Sequence, residues 1–300
     1  MLEFRKIKAE DFEKCHPIMY KKGFRNSESS FLTLYFWGEM YNSEICIEED
    51  AVFFRSVSSD GKASYLFPFA EDERAALTKL FDFERACGND FVKFHSITAR
   101  MREILEREFS GEFSYTERRP SFDYIYSSEA LATLEGKKFH GKRGHLKKFL
   151  KNYEGRFTCL PLGEADVNDV LAFQNKWIET VEDKEKRETL EYESRSLSKL
   201  FENLSYLGLL GAVLRVDGEV CAYCLAARTC EDTVEVMVEK ADYEIDGAYQ
   251  MINKTFAEFV SDKVKYINRE DDMGLPGLRK AKLSYYPEML IEKYSTIWKR

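Results

Sequence analysis

The feature that most constrains the fold is an order of elements that occurs twice along the chain. From Glu44 to Ser127, apolar periodicity predicts three strands, a helix, a strand, a helix and a last strand. From Leu207 to Trp298 it predicts the same order, beginning with a hairpin that turns at Asp217-Gly218. Two helical segments precede each series, at 9–22 and 29–42 and at 165–181 and 192–207. The fold class is therefore predicted to be α/β (α+β), with two tandem domains, each a mixed sheet flanked by helices.

Composition agrees with two folded domains. The 300 residues are 44% hydrophobic, 14% aromatic and 33% charged, which excludes a disordered chain. We place an N-terminal domain at 1–136, a basic linker helix at 137–155 and a C-terminal domain, the one expected to carry catalysis, at 156–300.

The sequence has no signal-peptide pattern and no stretch of the ~20 apolar residues that a membrane span needs. A cytoplasmic protein without a transmembrane segment is predicted.

The seven cysteines indicate reduced thiols rather than a disulfide framework. Cys221 and Cys224 have the spacing of a metal or redox motif, but the surrounding residues predict a strand. Side chains three apart on a strand point to opposite faces of the sheet. We therefore interpret this pair as buried packing and predict no metal site.

Charge is unevenly distributed. The formal net charge is −8, yet the segment from Lys137 to Arg156 carries eight Lys or Arg and one Glu, which is a local charge of +7. Its apolar residues follow helical spacing, so Lys142, Arg143 and Lys147 are expected on a cationic outer surface. One interpretation is a contact for a polyanion, such as charged tRNA, a nucleotide-linked acceptor or anionic lipid headgroups. The other is a solvated helix between the domains.

Gly247 lies at the junction between a predicted strand at 233–241 and the helix that follows. Backbone N–H groups converge at such a junction and bind anions. The order of elements and this junction resemble the GNAT acyltransferase superfamily, in which the corresponding loop binds the pyrophosphate of coenzyme A. That superfamily typically has Arg or Gln at the position of Glu244 and Gly or Ala at that of Tyr249, and Asp246 lies between them. Because carboxylates repel a pyrophosphate, the loop does not favour coenzyme A.

A second resemblance covers nearly the whole chain and is carried by three segments: YINREDDMGLPGLRKAKLSYYP at 266–287, VEKADYEIDGAYQMIN at 238–253 and GKKFHGKRGHLKKFL at 136–150. They are similar to soluble bacterial proteins with a phosphatidylglycerol lysyltransferase C-terminal domain. That family is similar in fold to tandem-GNAT aminoacyltransferases, including Fem-type enzymes that move amino acids from charged tRNA onto peptidoglycan precursors. The resemblance implies a transferase without a tightly bound cofactor. Its donor would be charged tRNA or acyl-CoA, and its acceptor an amine or hydroxyl of a small molecule, lipid or peptidoglycan precursor.

The resemblance also implies a place for the chemistry. If the strand that ends before Arg269 runs beside 233–241, as in a GNAT-like sheet, the two strands separate where the carbonyl of the donor would lie. This arrangement places Glu239 and Lys240 near Asn268 and Arg269. Acyl transfer to an amine needs hydrogen-bond donors for the oxyanion and a base for the incoming ammonium. Backbone N–H groups at the separation are expected to supply the donors.

Individual roles follow from these positions. Glu239 or Glu270 is the candidate base, Tyr285 or Tyr286 the candidate acid for the leaving group, and Asn268 is placed with the catalytic residues. The cations expected to balance charge on a phosphate-bearing donor or acceptor are Lys240, Arg269 and Lys282. Lys282 is also placed with the catalytic residues, and Arg279 with those that bind the substrate or donor. Simpler interpretations remain open: the acids at 270–272 fit a solvated turn before a helix, where negative charge is favourable by ~0.3–1 kcal/mol. For the candidate tyrosines, the simpler interpretation is a packed aromatic side chain. For Lys282, it is a side chain that extends its ammonium into solvent.

A different hypothesis is a non-catalytic module of the same fold. It would bind RNA or a phosphorylated metabolite through the basic segment at 137–156. Such binding should weaken steeply as salt rises, and no product should form. A purely structural protein is a third hypothesis, with only the acidic net charge in its favour.

Overall fold

The structure is a computed structural model that describes residues 2–299, with the backbone alone at positions 185 and 186. The strands, in chain order, are β1 (Arg5–Lys6), β2 (Ser43–Ile47), β3 (Ala51–Val57), β4 (Ala63–Tyr65), β5 (Phe69–Ala70), β6 (Phe91–Thr98), β7 (Phe113–Glu117), β8 (Asp123–Ser127), β9 (Phe157–Pro161), β10 (Leu210–Val216), β11 (Glu219–Cys230), β12 (Thr233–Ala241), β13 (Tyr266–Asn268), β14 (Met289–Ile291) and β15 (Lys293–Lys299). The helices are α1 (Phe12–Lys22), α2 (Phe31–Trp37), α3 (Glu73–Ala86), α4 (Ala99–Glu108), α5 (Ser128–Thr133), α6 (His140–Asn152), α7 (Val167–Glu179), α8 (Lys184–Phe201), α9 (Ala248–Val260) and α10 (Pro276–Leu283).

The chain forms two compact units. The first consists of Met1–Tyr124, Glu270–Lys282 and Met289–Arg300, and the second of Ile125–Arg269 and Leu283–Glu288. Each contains a sheet flanked by helices, so the predicted α/β architecture is confirmed. The sheet of the first unit has the order β1-β2-β3-β4-β6-β15-β7, with β5 paired to β3. In the second unit the order is β8-β13-β12-β11-β10-β9.

The core of the first unit is aromatic and includes the C-terminal strand. Trp298 of β15 stacks on Phe81 of α3, with ring centroids 4.0 Å apart. β15 also pairs with β6 on one side and β7 on the other, both antiparallel. The last strand of the chain is therefore an interior strand of the first unit.

The sheet of the second unit is buried on both faces. Within β11, every residue from Cys221 to Ala227 is buried. The Tyr223 hydroxyl donates to Gln174 of α7 at 2.7 Å, whereas the next residue, Cys224, is opposite Glu239 on β12. Successive side chains thus face different helices, which explains why β11 is apolar throughout rather than alternating.

The units differ from the domains predicted at 1–136 and 156–300. The last strand of each predicted series lies in the other unit: most of β8 belongs to the second unit and β15 to the first. The segment predicted as a linker, 137–155, is α6 and its flanks, and it is part of the second unit. Strands join a sheet through hydrogen bonds with whichever edge is open, so order along the chain does not determine the partner.

Candidate functional site

The candidate site lies where two strands of the second unit separate. β12 and β13 pair in parallel over three positions. Thr233 lies opposite Tyr266 at the start of this pairing, and Glu235 lies opposite Asn268 at its end. β13 then ends, while β12 continues to Ala241. The predicted separation is thus present, and Asn268 lies buried at the point where it begins. Beyond this point, the edge of β12 that faced β13 no longer has that strand as its partner, which leaves backbone groups for other contacts.

A buried ion pair bridges the separation. Arg269 directly follows β13, and its Nη2 lies 2.7 Å from Oε1 of Glu239 on β12. The two side chains are only 14% and 11% exposed. Asn253 of α9 donates from Nδ2 to Oε2 of Glu239 at 3.4 Å. Burial lowers the pKa of the Arg269 guanidinium, but the charge of Glu239 outweighs this and raises that pKa overall. Arg269 therefore stays charged.

A tyrosine and a lysine complete this cluster. The ring centroid of Tyr285 lies 5.0 Å from Cζ of Arg269 and 3.8 Å from Nζ of Lys142 on α6. Burial raises the pKa of the Tyr285 phenol to about 12, so the phenol remains protonated. Burial, together with the charge of Arg269, lowers the pKa of the Lys142 ammonium to about 8. Lys142 therefore exchanges its proton near neutral pH.

Lys240 does not join this cluster, contrary to the prediction that placed it beside Asn268 and Arg269. Consecutive residues of a strand point to opposite faces, so Lys240 faces away from Glu239. Its Nζ lies 3.0 Å from Oε1 of Glu193 on α8 and 4.8 Å from the ring centroid of Trp177 on α7. Lys240 is thus held by an ion pair and a ring on the other face of the sheet.

Several residues of this region were not identified from the sequence. Asn253 is a buried polar residue among apolar neighbours on α9, and such a residue indicates a buried hydrogen-bond partner. Glu193 and Trp177 lie on helices far from β12 in the chain, and nothing in their local pattern connects them to Lys240. The same holds for the neighbouring rings of Trp177, Tyr243 and Tyr249, whose successive centroids are 6.0 and 5.6 Å apart.

The loop before α9 packs tightly against α6. Gly247 has φ +91°, and a Cβ there would lie 2.8 Å from the backbone oxygen of His145 and 2.8 Å from Cβ of Phe149. The Asp246 carboxylate binds the ammonium of Lys148 and lies 3.1 Å from Nδ1 of His145. α6 therefore covers Gly247, and the Asp246 carboxylate lies beside it, where the GNAT resemblance would place the pyrophosphate of coenzyme A.

Replacing Gly247 by alanine is expected to destabilise the protein in two ways. A left-handed backbone costs a residue with a Cβ about 1–2 kcal/mol, and the clash with α6 should add about 1–3 kcal/mol. Gly218, in the β10–β11 turn, is the matched control, since its φ is +88° and nothing lies within 4 Å of its added Cβ. Urea unfolding of both variants measures the difference. Equal losses for Gly247→Ala and Gly218→Ala would contradict the packing of α6 described above.

The remaining predicted residues of α6 have different surroundings. Arg143 donates from Nη1 to the backbone oxygens of Leu134 and Gly136, which fixes the segment before the helix. Lys147 and Lys151 are exposed. Only part of the predicted cationic surface is therefore open to solvent, and Lys147 remains the candidate there for contact with an anion.

Three predicted site residues belong to the first unit. The backbone oxygen of Glu270, whose φ is +53°, accepts from the Tyr124 amide at 3.1 Å. Lys282 donates from Nζ to the backbone oxygen of Asp271, and Arg279 forms a two-point ion pair with Asp272. Asp272 is fully buried, which is unlike a solvated turn.

Tyr286, the other candidate acid, lies in the second unit. It is half exposed and has φ +55°. Its ring packs edge-on against Phe139, with centroids 5.6 Å apart. Its neighbour Tyr285, which contacts both Arg269 and Lys142, is the better-placed tyrosine.

Between positions 2 and 299, no helix is long and apolar enough to cross a membrane. Within the same part of the chain, no group of three or more His, Cys, Asp or Glu side chains is arranged to hold a metal ion.

Comparison with known proteins gives consistent relatives. A conserved protein of unknown function from Bacteroides thetaiotaomicron has a crystal structure that is 34% identical, covers 100% of both chains and superposes with a TM-score of 0.91. The structure of L-PGS from Bacillus licheniformis is 13% identical over 98% of this chain and 93% of that one, with a TM-score of 0.69. FemX is 13% identical over 100% and 98%, with a TM-score of 0.52. At these identities the likeness to L-PGS and FemX is one of fold, and it confirms the predicted resemblance in fold to Fem-type proteins.

A curated relative and a family profile complete the comparison. An uncharacterized protein of Mycoplasmoides gallisepticum is 28% identical over 174 residues, which are 58% of this chain and 55% of that protein. The match thus spans about half the length of this curated relative. The profile described as "Phosphatidylglycerol lysyltransferase, C-terminal" matches residues 22–297. The chain therefore belongs to the phosphatidylglycerol lysyltransferase C-terminal family.

Proposed function

We propose that the protein transfers an aminoacyl group from charged tRNA to an amine or hydroxyl acceptor. The observation that carries this proposal is the cluster of Glu239, Arg269, Tyr285 and Lys142 beside the separation of β12 and β13. It combines a permanently charged guanidinium with an amine whose pKa is about 8, and both contact one buried ring. Perturbed pKa values of this kind, next to a specific charge partner, are typical of reactive sites.

Two observations support charged tRNA rather than acyl-CoA as the donor. The loop at Gly247 is covered by α6 and carries Asp246, so it offers no cradle for a pyrophosphate. Family membership supports transfer of an amino acid, because the family is that of the phosphatidylglycerol lysyltransferase C-terminal domain. Charged tRNA is a cytoplasmic molecule, so the proposal places the protein in the cytoplasm.

The proposed step is attack on the ester that links the amino acid to the tRNA. The acceptor nitrogen or oxygen forms a bond to the ester carbonyl carbon, and the bond from that carbon to the ribose oxygen breaks. The neutral amine of Lys142 takes the proton that the acceptor loses, and the resulting ammonium returns a proton to the ribose oxygen. Arg269 stabilises the negative charge on the carbonyl oxygen, while Glu239 holds Arg269 in place.

The test is transfer of label from a pool of tRNA charged with radioactive amino acids. Reactions are separated into lipid-soluble, acid-soluble and macromolecular fractions, so that the acceptor class is read from where the label moves. The proposal expects label in one fraction with the wild type, and a rate about 10²–10⁴ times lower with Lys142→Met. Lys263→Met, which removes an exposed lysine of the second unit, is the matched control and should keep the wild-type rate.

The pH dependence gives a sharper criterion. With Lys142 as the base, kcat/KM should rise with pH and level off above the Lys142 pKa of about 8. Lys142→Arg, which remains protonated, should lack both the activity and this rise. If the wild type transfers no label to any fraction, the proposal is wrong and the non-catalytic binding module is favoured.

The pKa of Lys142 can also be checked without a substrate. A lysine whose pKa is lowered by folding binds fewer protons in the folded state than in the unfolded state between the two values. The free energy of unfolding should therefore increase as pH rises from about 8 to about 10.4, where the free side chain titrates. Lys142→Met should lack this increase, as urea titrations at a series of pH values would show. An identical pH dependence in the variant would rule out the perturbed lysine.

A further inference from the structure

We propose that Arg119 and Arg279 form a binding site for one phosphate group in the first unit. The two guanidiniums share a single carboxylate, that of Asp272. Arg119 Nη1 lies 3.0 Å from Oδ2, Arg279 Nε 2.8 Å from Oδ2, and Arg279 Nη2 2.9 Å from Oδ1. This site is separate from the cluster around Lys142, and the inference does not depend on the proposed function.

The charge balance of the site leaves one positive charge. Asp272 is fully buried, whereas the side chains of Arg119 and Arg279 are 31% and 36% exposed. Two guanidiniums and one carboxylate sum to +1, so the exposed part of the cluster is cationic. An anion that reaches both arginines would neutralise this charge and lower the repulsion between two like charges held by the same oxygen atom.

Unused donors remain on both arginines. A guanidinium has five N–H groups in a planar fork. Arg279 uses Nε and Nη2 on Asp272 and also interacts with Tyr124, while its Nη1 group donates no hydrogen bond to the residues that the structure describes. Arg119 uses Nη1 on Asp272 and Nη2 on the Tyr124 hydroxyl, at 3.0 Å, which leaves Nε. Two forks fixed side by side match the tetrahedral oxygens of a phosphate group.

The arginines are held in position before any ligand binds. Tyr124 donates its hydroxyl to Oδ2 of Asp272 at 2.6 Å, and the Gly274 amide donates to Oδ1 at 2.9 Å. The backbone on either side is strained, with positive φ at Glu270 and Met273. Strain of this kind persists where the surrounding contacts fix it and is concentrated at ligand sites. The carboxylate therefore serves as a rigid support for the two guanidiniums.

The ligand class is a phosphate ester, carried either by a small molecule or by a lipid headgroup. Both sources present one compact phosphate, which fits two adjacent arginines better than an extended polyanion does. The loop beside the site exposes Met273 and Leu275, at 68% and 47%, which gives a lipid source apolar contacts that a small phosphate would not use. The two sources therefore predict different responses when these side chains are changed.

The experiment follows the arginine Nε–H signals of the full chain by ¹H–¹⁵N NMR during titration with phenyl phosphate. Saturable shifts of the Arg119 and Arg279 signals are expected. Arg119→Gln with Arg279→Gln should weaken binding by about tenfold per arginine removed. The matched control, Arg74→Gln, removes an exposed arginine of the same unit and should leave binding unchanged. Arg119→Lys with Arg279→Lys should bind more weakly than the wild type, because the charge is kept but the forks are lost.

Vesicles distinguish the two sources. Sedimentation with phosphatidylcholine vesicles containing phosphatidic acid, but not with phosphatidylcholine alone, supports a lipid headgroup if Met273→Ser with Leu275→Ser reduces it. Binding of phenyl phosphate without vesicle binding supports a small-molecule source. Shifts that chloride abolishes at equal ionic strength, or binding of an RNA oligonucleotide but of no small phosphate, would overturn the inference. If a variant unfolds, the Nε shifts of the wild-type chain still decide between these outcomes.

Discussion

Replacing Lys293 by methionine is expected to lower the free energy of unfolding by about 3–5 kcal/mol, the cost of removing one partner from a buried ion pair. Lys293 is 1% exposed, and its Nζ lies 2.8 Å from Oδ1 of Asp123, which is completely buried. The same ammonium lies 2.7 Å from Oε2 of Glu28 and donates to the Ser27 hydroxyl at 2.9 Å. Without Lys293, two carboxylates would face each other in the interior of the first unit.

The pKa shifts agree with this balance. Burial opposes the charge on Lys293, but the neighbouring Asp123 and Glu28 outweigh it and raise the pKa of the ammonium well above its usual value. A raised lysine pKa means that the stabilisation is fully present below pH ~10.4, where the unfolded side chain titrates. Burial raises the pKa of Asp123, whereas Lys293 lowers that of Glu28 to about 2 against the effect of burial. The loss should therefore be complete at neutral pH.

Urea unfolding followed by tryptophan fluorescence, to which Trp298 on the same strand contributes, would measure the effect. Lys62→Met is the matched control, since Lys62 forms an exposed ion pair with Asp60 and its loss should cost about 0–1 kcal/mol. In the Lys293→Met variant, Asp123 should take up a proton as pH falls. The difference in unfolding free energy between the wild type and this variant should therefore become smaller in acid. A deficit equal to that of Lys62→Met would show that the buried pair contributes little.

The same residues show what the sequence could and could not predict. Asp123 and Lys293 each lie within a predicted strand between aromatic or apolar neighbours, and a charged residue at such a position indicates a buried partner. The element order was predictable because apolar periodicity is a local property. The pairing of Asp123 with Lys293 was not, because it requires β15 to lie in the first sheet, and strand partners depend on the whole fold. The predicted boundary at 136 separated these two residues into different domains.

The candidate site shows a similar division. The separation of β12 from β13 followed from the resemblance to GNAT-like sheets and places Glu239 opposite Arg269, as expected. The rule that strand residues alternate, applied to Cys221 and Cys224, also separates Glu239 from Lys240, but it was not applied there. The contact of Lys142 with Tyr285 joins two segments far apart in the chain, so no spacing could predict the lowered pKa of Lys142. The negative charge of the loop at Gly247, by contrast, could be predicted from its carboxylate residues alone.

Replacing Glu239 by leucine is expected to destabilise the protein by about 3–5 kcal/mol, because the buried guanidinium of Arg269 would lose the carboxylate with which it forms an ion pair. The Glu239–Arg269 pair links β12 to the residue that follows β13, so its loss removes this link, while β12 stays paired with β11. An effect on activity would then not by itself make Glu239 a catalytic base. The ion pair of Glu239 with Arg269 thus has a structural role, whereas proton transfer is assigned to Lys142.

The double variant Glu239→Leu with Arg269→Leu isolates the interaction. Removing both charges leaves no buried ion, so the double variant should recover much of the stability lost by Glu239→Leu alone. Glu258→Gln is the matched control, because Glu258 pairs with Lys254 on the surface of α9 and should cost no more than about 0.5 kcal/mol. Denaturant unfolding of the wild type, Glu239→Leu, Arg269→Leu and the double variant closes the cycle. Additive losses for the two leucine substitutions would mean that Glu239 and Arg269 do not stabilise each other, and the cluster would then need a different organising contact.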